Sequence, residues 1–127
     1  FMQILSKVFS AIVAIEHIYI LVLEMFLWQT EYAMKRFGTT PEFAAESHVL
    51  AMNQGLYNGF LAAGLIWALV FLKDRMQFEV LCFFLGCVVV AGIFGGATAK
   101  PAIFFIQAVP ALIALALVVL ARRRQQA

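Results

Sequence analysis

Three residues near the start of the chain could do chemistry where chemistry is costly to place. Glu16, His17 and Glu24 lie inside an otherwise apolar run, residues 4–28. Ionisable side chains in such a run are expensive to keep and mark a functional site by default. On a helix His17 and Glu24, seven apart, fall on nearly one face. Gln3, Ser6, Ser10 and Trp28 join that stripe, and Glu16 sits at its margin. Carboxyl and imidazole groups so gathered could hold a polar ligand, couple its binding to protons, or act as acid and base.

A second polar group falls within residues 49–72: Asn53, Gln54, Tyr57 and Asn58. Asn53 pairs with Tyr57, and Gln54 with Asn58, at helical i,i+4 spacing. Beside them runs a ridge of small residues four apart, Ala51, Gly55, Gly59 and Ala63, which lets helices approach closely. Gly92 and Gly96 would do the same further on. Gln107 adds a late amide, and Pro110 is placed to kink its helix and free the carbonyl of Ile106. Each residue also has a plain structural reading. The amides could be interhelical glue worth about 1 kcal/mol or less. Glu24 could pair with Lys100 or reach interfacial water, and His48 could be exposed or capping. Cys82 and Cys87, five apart, point roughly 140° from each other on a helix. They cannot bond to one another there and read as packing thiols.

These residues must be positioned by membrane helices. Hydrophobic residues make up 65% of the 127 and charged ones 13%, with a mean hydropathy of +0.96. A soluble domain of this size is near half apolar and could not bury so much apolar surface. A crossing needs roughly 20 mostly apolar residues, and four stretches qualify: 4–28, 49–72, 78–97 and 101–121. Nothing alternates with period two, so a barrel is excluded, and helices satisfy the backbone within lipid. Short turns at Lys73-Asp74-Arg75 and Thr98-Ala99-Lys100 make neighbouring helices antiparallel. The expected fold is an all-α, antiparallel bundle of four transmembrane helices forming one domain over residues 1–127. Between the first two crossings, Thr30 can cap a short helix that carries Lys35 and Arg36 in its last turn and stops at Gly38. Thr40-Pro41 then starts the next helix outside the membrane. The short helix is expected to lie in the interface, over one mouth of the bundle.

Charge sets the expected orientation. Lys7, Lys73, Arg75, Arg122, Arg123 and Arg124 fall on one side and Lys35, Arg36 and Lys100 on the other. Six against three places both termini in the cytoplasm of a multi-pass protein of the cell (inner) membrane. The polar groups then lie in the middle and outer half, which implies an outward-facing pocket. The net charge of +2 is too small to suggest nucleic acid. The first apolar run is too long for a cleavable signal. Phe1 before Met2 reads as a vector-derived remnant, with Met2 as the native start.

The run Glu16-His17 to Tyr19, then Leu23-Glu24-Met25-Phe26-Leu27-Trp28, resembles the first signature of a small membrane family, domain of unknown function 1304. The run Asn53-Gln54-Gly55-Leu56-Tyr57-Asn58-Gly59-Phe60-Leu61-Ala62-Ala63-Gly64 resembles its second, and Gly95-Gly96 and Gln107 also fit. The resemblance implies four membrane helices and no established activity; members are sometimes labelled epimerase. It maps the family's motif residues onto Glu16, His17, Glu24, Asn53, Gln54, Tyr57 and Asn58.

Three functions compete. The first is binding or transport of a small polar or amphipathic molecule, or a lipid, by these side chains and Gln107. Size and a mid-helix acidic residue resemble small multidrug transporters, although the surrounding residues do not match. A four-helix transporter would need to homodimerise, and the glycine ridges could serve either that contact or packing inside the monomer. The second is an isomerase or epimerase, drawing its acid and base from Glu16, His17, Glu24 and Lys100. No nucleophile motif, nucleotide loop or cofactor signature accompanies them, and no cofactor is expected. A metal held by Glu16, His17, Glu24 and His48 lacks any tight ligand spacing. The third is an accessory protein with no site. Uptake lost in Glu16→Gln or His17→Ala would mark the first, and product formation abolished by Glu24→Gln the second. Function kept without all three ionisable residues would mark the third.

Overall fold

The computed structural model describes residues 1–127. It is all-helical: α1 (Met2–Phe26), α2 (Glu31–Phe37), α3 (Pro41–Phe71), α4 (Asp74–Thr98) and α5 (Pro101–Gln126). Four of these are long and apolar enough to cross a membrane, with the short α2 between the first two of them. The chain is therefore a multi-pass membrane protein in contact with the lipid bilayer. The 25 residues of α1 extend about 37 Å, more than the roughly 30 Å hydrocarbon core. The 31 residues of α3 overshoot it further. Its first two turns carry Glu42, Glu46, Ser47 and His48, the part least suited to lipid.

Helix ends follow local chemistry. Thr30 is extended (φ −77°, ψ 152°), and its Oγ1 accepts the Ala33 N–H, capping α2. Lys35 and Arg36 complement the negative end of α2. Gly38 stops it at φ 69°, a conformation that costs glycine little, and its N–H returns to the Met34 carbonyl. Thr40 Oγ1 accepts the Phe43 N–H at 3.2 Å to open α3, with Pro41 as the first helical residue. No glycine closes the α3 end. There the Gln77 side chain donates to the carbonyls of Ala68 and Leu72, both at 2.9 Å. The turn passes through Asp74 at φ 52°, which aspartate tolerates better than most residues.

Within α5 the helix widens ahead of Pro110. Residues Phe104–Ala108 make a π turn, in which the Val109 N–H bonds the Phe104 carbonyl five residues back. Pro110 has no N–H to give, and the widened turn lies directly before it.

The chain folds as two compact units. One comprises Phe1–Ala14 and Ala63–Ala127 and so holds parts of all four long helices. In it Leu65, Leu85 and Val88 are fully buried, and glycines set the helix spacing. A Cβ on Gly92 would stand 2.5 Å from the Ala108 nitrogen, and one on Gly96 would stand 2.7 Å from Phe104 Cβ. A Cβ on Gly64 would overlap the Phe84 ring. The other unit, Ile15–Ala62, holds the second half of α1, all of α2 and the first part of α3. There a Cβ on Gly55 would meet Met25 Cγ at 2.7 Å, and one on Gly59 would meet Leu21 Cδ1 at 2.6 Å. The small-residue ridge of α3 thus seats against α1 at Gly55 and Gly59, while Ala63 is exposed. Steps of four gain about 40° per step on a helix of 3.6 residues per turn. The buried stripe instead runs Ala51, Gly55, Asn58, Ala62, Leu65.

Candidate functional site

The seven-residue spacing on α1 has the consequence that periodicity predicts. Ser6, Ser10, His17 and Glu24 are all buried, together with Val13, Ala14 and Leu23. The serines spend their hydroxyls on their own helix: Ser6 Oγ donates to the Gln3 carbonyl and Ser10 Oγ to that of Ser6, both at 2.8 Å. Gln3 itself is exposed. His17 is fully buried and Glu24 is 8% exposed. Glu16, at the margin, is half-buried; its Oε1 is covered and meets no hydrogen-bond donor of the protein.

Of the four polar residues on α3, Asn58 turns inward. It lies on the buried stripe, and its Nδ2 donates to Glu24 Oε2 at 3.0 Å and to the Gln54 carbonyl at 3.1 Å. Asn53, Gln54 and Tyr57 point away from that stripe and are exposed. Asn53 Nδ2 donates to its own helix at the Val49 carbonyl, 2.9 Å away, and the Tyr57 ring stands edge-on to Phe60. Gln107 is half-buried in the π turn of the other unit.

A cavity of about 270 Å³ opens at the end of α1, walled by Glu24, Met25, Phe26, Trp28, Gln29, Thr30, His48 and Met52. Trp28 organises its rim. The indole Nε1–H donates to Ser47 Oγ at 3.0 Å, and the ring packs on Phe37 of α2 with centroids 4.8 Å apart. The Tyr19 and Tyr32 hydroxyls meet at 2.6 Å and tie α1 directly to α2. That bond raises the Tyr32 pKa from its ordinary value. His48 is exposed on the rim, with Nδ1 against the Ala45 carbonyl at 2.8 Å. His48, which the sequence offers only as a metal ligand or an exposed or capping residue, and Met52 both line the cavity. A methionine in an apolar run reads as packing, so Met52 gives no signal in advance. No three His, Cys, Asp or Glu side chains gather closely enough to hold a metal ion. The arrangement is a buried carboxyl with a neutral amide partner, beside an open cavity of mixed polar, aromatic and thioether character.

Comparison with known proteins agrees with the two signatures. The family model described as "Protein of unknown function (DUF1304)" matches residues 11–119. A relative from Lactococcus lactis subsp. lactis (strain IL1403), named "Uncharacterized protein YpaA", is 33% identical over 116 residues. The match covers 90% of this chain and 96% of the relative. No solved structure matches significantly.

Proposed function

The chain belongs to the DUF1304 family of proteins of unknown function, and we propose that it binds or transports a small amphipathic molecule at the Glu24 cavity. The observation that carries this reading is Glu24 itself. A carboxyl 8% exposed on a membrane helix is costly to keep, and its hydrogen-bond donor here is the neutral Asn58 amide. A cationic or donor-bearing head group in the cavity would complement it better than lipid does. Met25, Phe26, Trp28 and Met52 suit the apolar body of such a ligand. An indole face adds about 0.5–1 kcal/mol for an ammonium group, and about 2 kcal/mol where water is excluded. Glu16, whose Oε1 is covered and meets no hydrogen-bond donor of the protein, does not line this cavity and enters the reading as a proton-coupling group. Asn58 belongs to the proposed site through its bond to Glu24, whereas His17, Asn53, Gln54, Tyr57 and Gln107 do not line this cavity.

The charge distribution supports a cytoplasmic location for both termini, with six Lys and Arg on their side against three. In that orientation α1 runs outward and the Glu24 cavity opens to the exterior. Residues 1–127 then act as one membrane domain.

The test titrates the full chain in neutral detergent with phenylethylammonium and, separately, with phenylethanol. The ammonium is expected to raise the unfolding temperature saturably, and Glu24→Gln to abolish the shift. Uptake into proteoliposomes, lost in Glu24→Gln and altered in its pH dependence by Glu16→Gln or His17→Ala, would establish transport. An ammonium shift that is unchanged in Glu24→Gln removes the basis of the reading.

A further inference from the structure

A second cavity, of about 310 Å³, lies within the unit formed by Phe1–Ala14 and Ala63–Ala127. Three separate stretches of chain supply its charges: Lys7 from α1, Lys73 from the turn before α4, and Arg122 from the end of α5. Basic residues at helix ends commonly serve only to orient a membrane protein or to complement helix dipoles. Such residues need not converge. Here they do, on one concave wall that also carries the amides of Gln3 and Gln125 and a single acid, Asp74.

The wall is held in place. Arg122 lies over the Phe78 ring, 5.8 Å from its centroid. Gln77, also in the lining, is pinned by its two bonds to the end of α3. Ser6 is buried in the floor. The nearby carboxylate of Glu79 is engaged by Arg75 at 2.6 Å and not by these three cations. What remains is a concavity of mixed lining, with Phe78, Leu81, Val118 and Ala121 beside the polar groups, that carries three positive groups against one negative. Its volume is at the low end for ligand pockets, which suits a head group more than a whole drug-sized molecule.

We propose that this basic cavity binds a phosphate-bearing anion, carried either on the head group of an anionic lipid or as free phosphate. The cations meet the oxygens as point charges and, through Arg122, as a planar donor fork. The amides add neutral donors. A lipid head group could enter this cavity while its acyl chains stay in the bilayer beside α1 and α5, as basic pockets at membrane-protein ends permit.

The test uses the purified full chain in neutral detergent, followed by thermal unfolding. The probes are short-chain phosphatidylglycerol, phosphatidylcholine of equal chain length, and inorganic phosphate. Phosphatidylglycerol is expected to raise the unfolding temperature where phosphatidylcholine does not. Its apparent affinity should fall about fivefold for each of Lys73→Gln and Arg122→Gln. Lys35→Gln with Arg36→Gln, which removes two charges from α2 where each cavity variant removes one, should leave it unchanged. A cation-dependent shift with inorganic phosphate assigns the cavity to free phosphate; a shift confined to phosphatidylglycerol assigns it to the lipid. Because Arg122 packs on Phe78 and its variant could fail to fold, the exposed Lys7→Gln and Lys73→Gln carry the same comparison. Native mass spectrometry of the unaltered chain should also retain phosphatidylglycerol over phosphatidylcholine. Equal response to both lipids, or equal loss in the α2 control, overturns the proposal.

Discussion

Asn58 and Glu24 are joined by a hydrogen bond of 3.0 Å from the amide of α3 to the carboxylate of α1, with both side chains 8% exposed. The bond depends on a glycine three residues earlier. At Gly55 a Cβ would stand 3.0 Å from Glu24 Cβ and 3.2 Å from the Leu21 carbonyl. Only a bare backbone lets the helices come that close, and that approach brings the carboxyl within reach of the next inward position, Asn58.

The pair should be measurable as a coupling. Asn58→Ala is expected to destabilise the folded chain by about 1 kcal/mol, typical of interhelical hydrogen bonds in membranes. Glu24→Gln keeps an acceptor and should cost less. A double-mutant cycle of Glu24→Ala and Asn58→Ala, read by unfolding in mixed micelles, should show non-additivity above about 0.5 kcal/mol. Strict additivity would mean that the contact contributes nothing.

The α1 half of this pair is legible in the sequence, and the α3 half much less so. On α1, spacings of four, three, four and seven put Ser6, Ser10, Val13, His17 and Glu24 on one side, and all are buried. On α3 four polar residues crowd into six positions, and side-chain type alone does not say which turns inward. The small residues tempt a reader to a ridge of strict fours. The alternation of four and three selects Asn58 and rejects Asn53, Gln54 and Tyr57, whose side chains are exposed. Pro110 likewise announces a missing donor. It does not say that the helix will carry a π turn at Phe104–Ala108, the stretch against which Gly92 and Gly96 of α4 pack. The caps of α2 are fully legible because Thr30 and Gly38 act through their own backbone neighbourhood.

Glycines of α4 should respond in opposite directions to the same change. Gly92→Ala would force its Cβ against the Ala108 backbone, where no flexible side chain can yield. A loss of about 1–3 kcal/mol is expected, as for overpacking in a tight core. Nothing lies within 4 Å of a Cβ at Gly86. Gly86→Ala should therefore stabilise by up to about 1 kcal/mol, through helix propensity alone. Equal unfolding midpoints for the two variants would contradict the packing at Gly92.

Gly38→Ala tests whether α2 is held by its cap or by its neighbours. At φ 69° an alanine is strained by about 1 kcal/mol. The Trp28–Phe37 contact and the Tyr19–Tyr32 bond should keep α2 in place, so faster amide exchange is expected in residues 35–40 without global unfolding. Combining Gly38→Ala with Trp28→Ala should extend fast exchange to all of α2. Global unfolding from Gly38→Ala alone would show that the cap, and not the aromatic contact, holds this segment.

The orientation of the helices decides which compartment the Glu24 cavity serves. Removing Lys7, which lies inside α1, still leaves five cations against three. Arg122, Arg123 and Arg124 follow the last crossing directly, within the distance at which such charge is counted. With Cys82 and Cys87 replaced by alanine, single cysteines at exposed Gln126, Glu42 and Ala99 report the two sides. A membrane-impermeant thiol reagent on intact cells should label Glu42→Cys and Ala99→Cys. Gln126→Cys should react only after the membrane is opened. The reverse pattern would leave every helix, cap and hydrogen bond unchanged while turning the cavity toward the cytoplasm. The bonds among Glu24, Asn58, Trp28 and Ser47 are the same in either orientation, and only the flanking charge distinguishes the two.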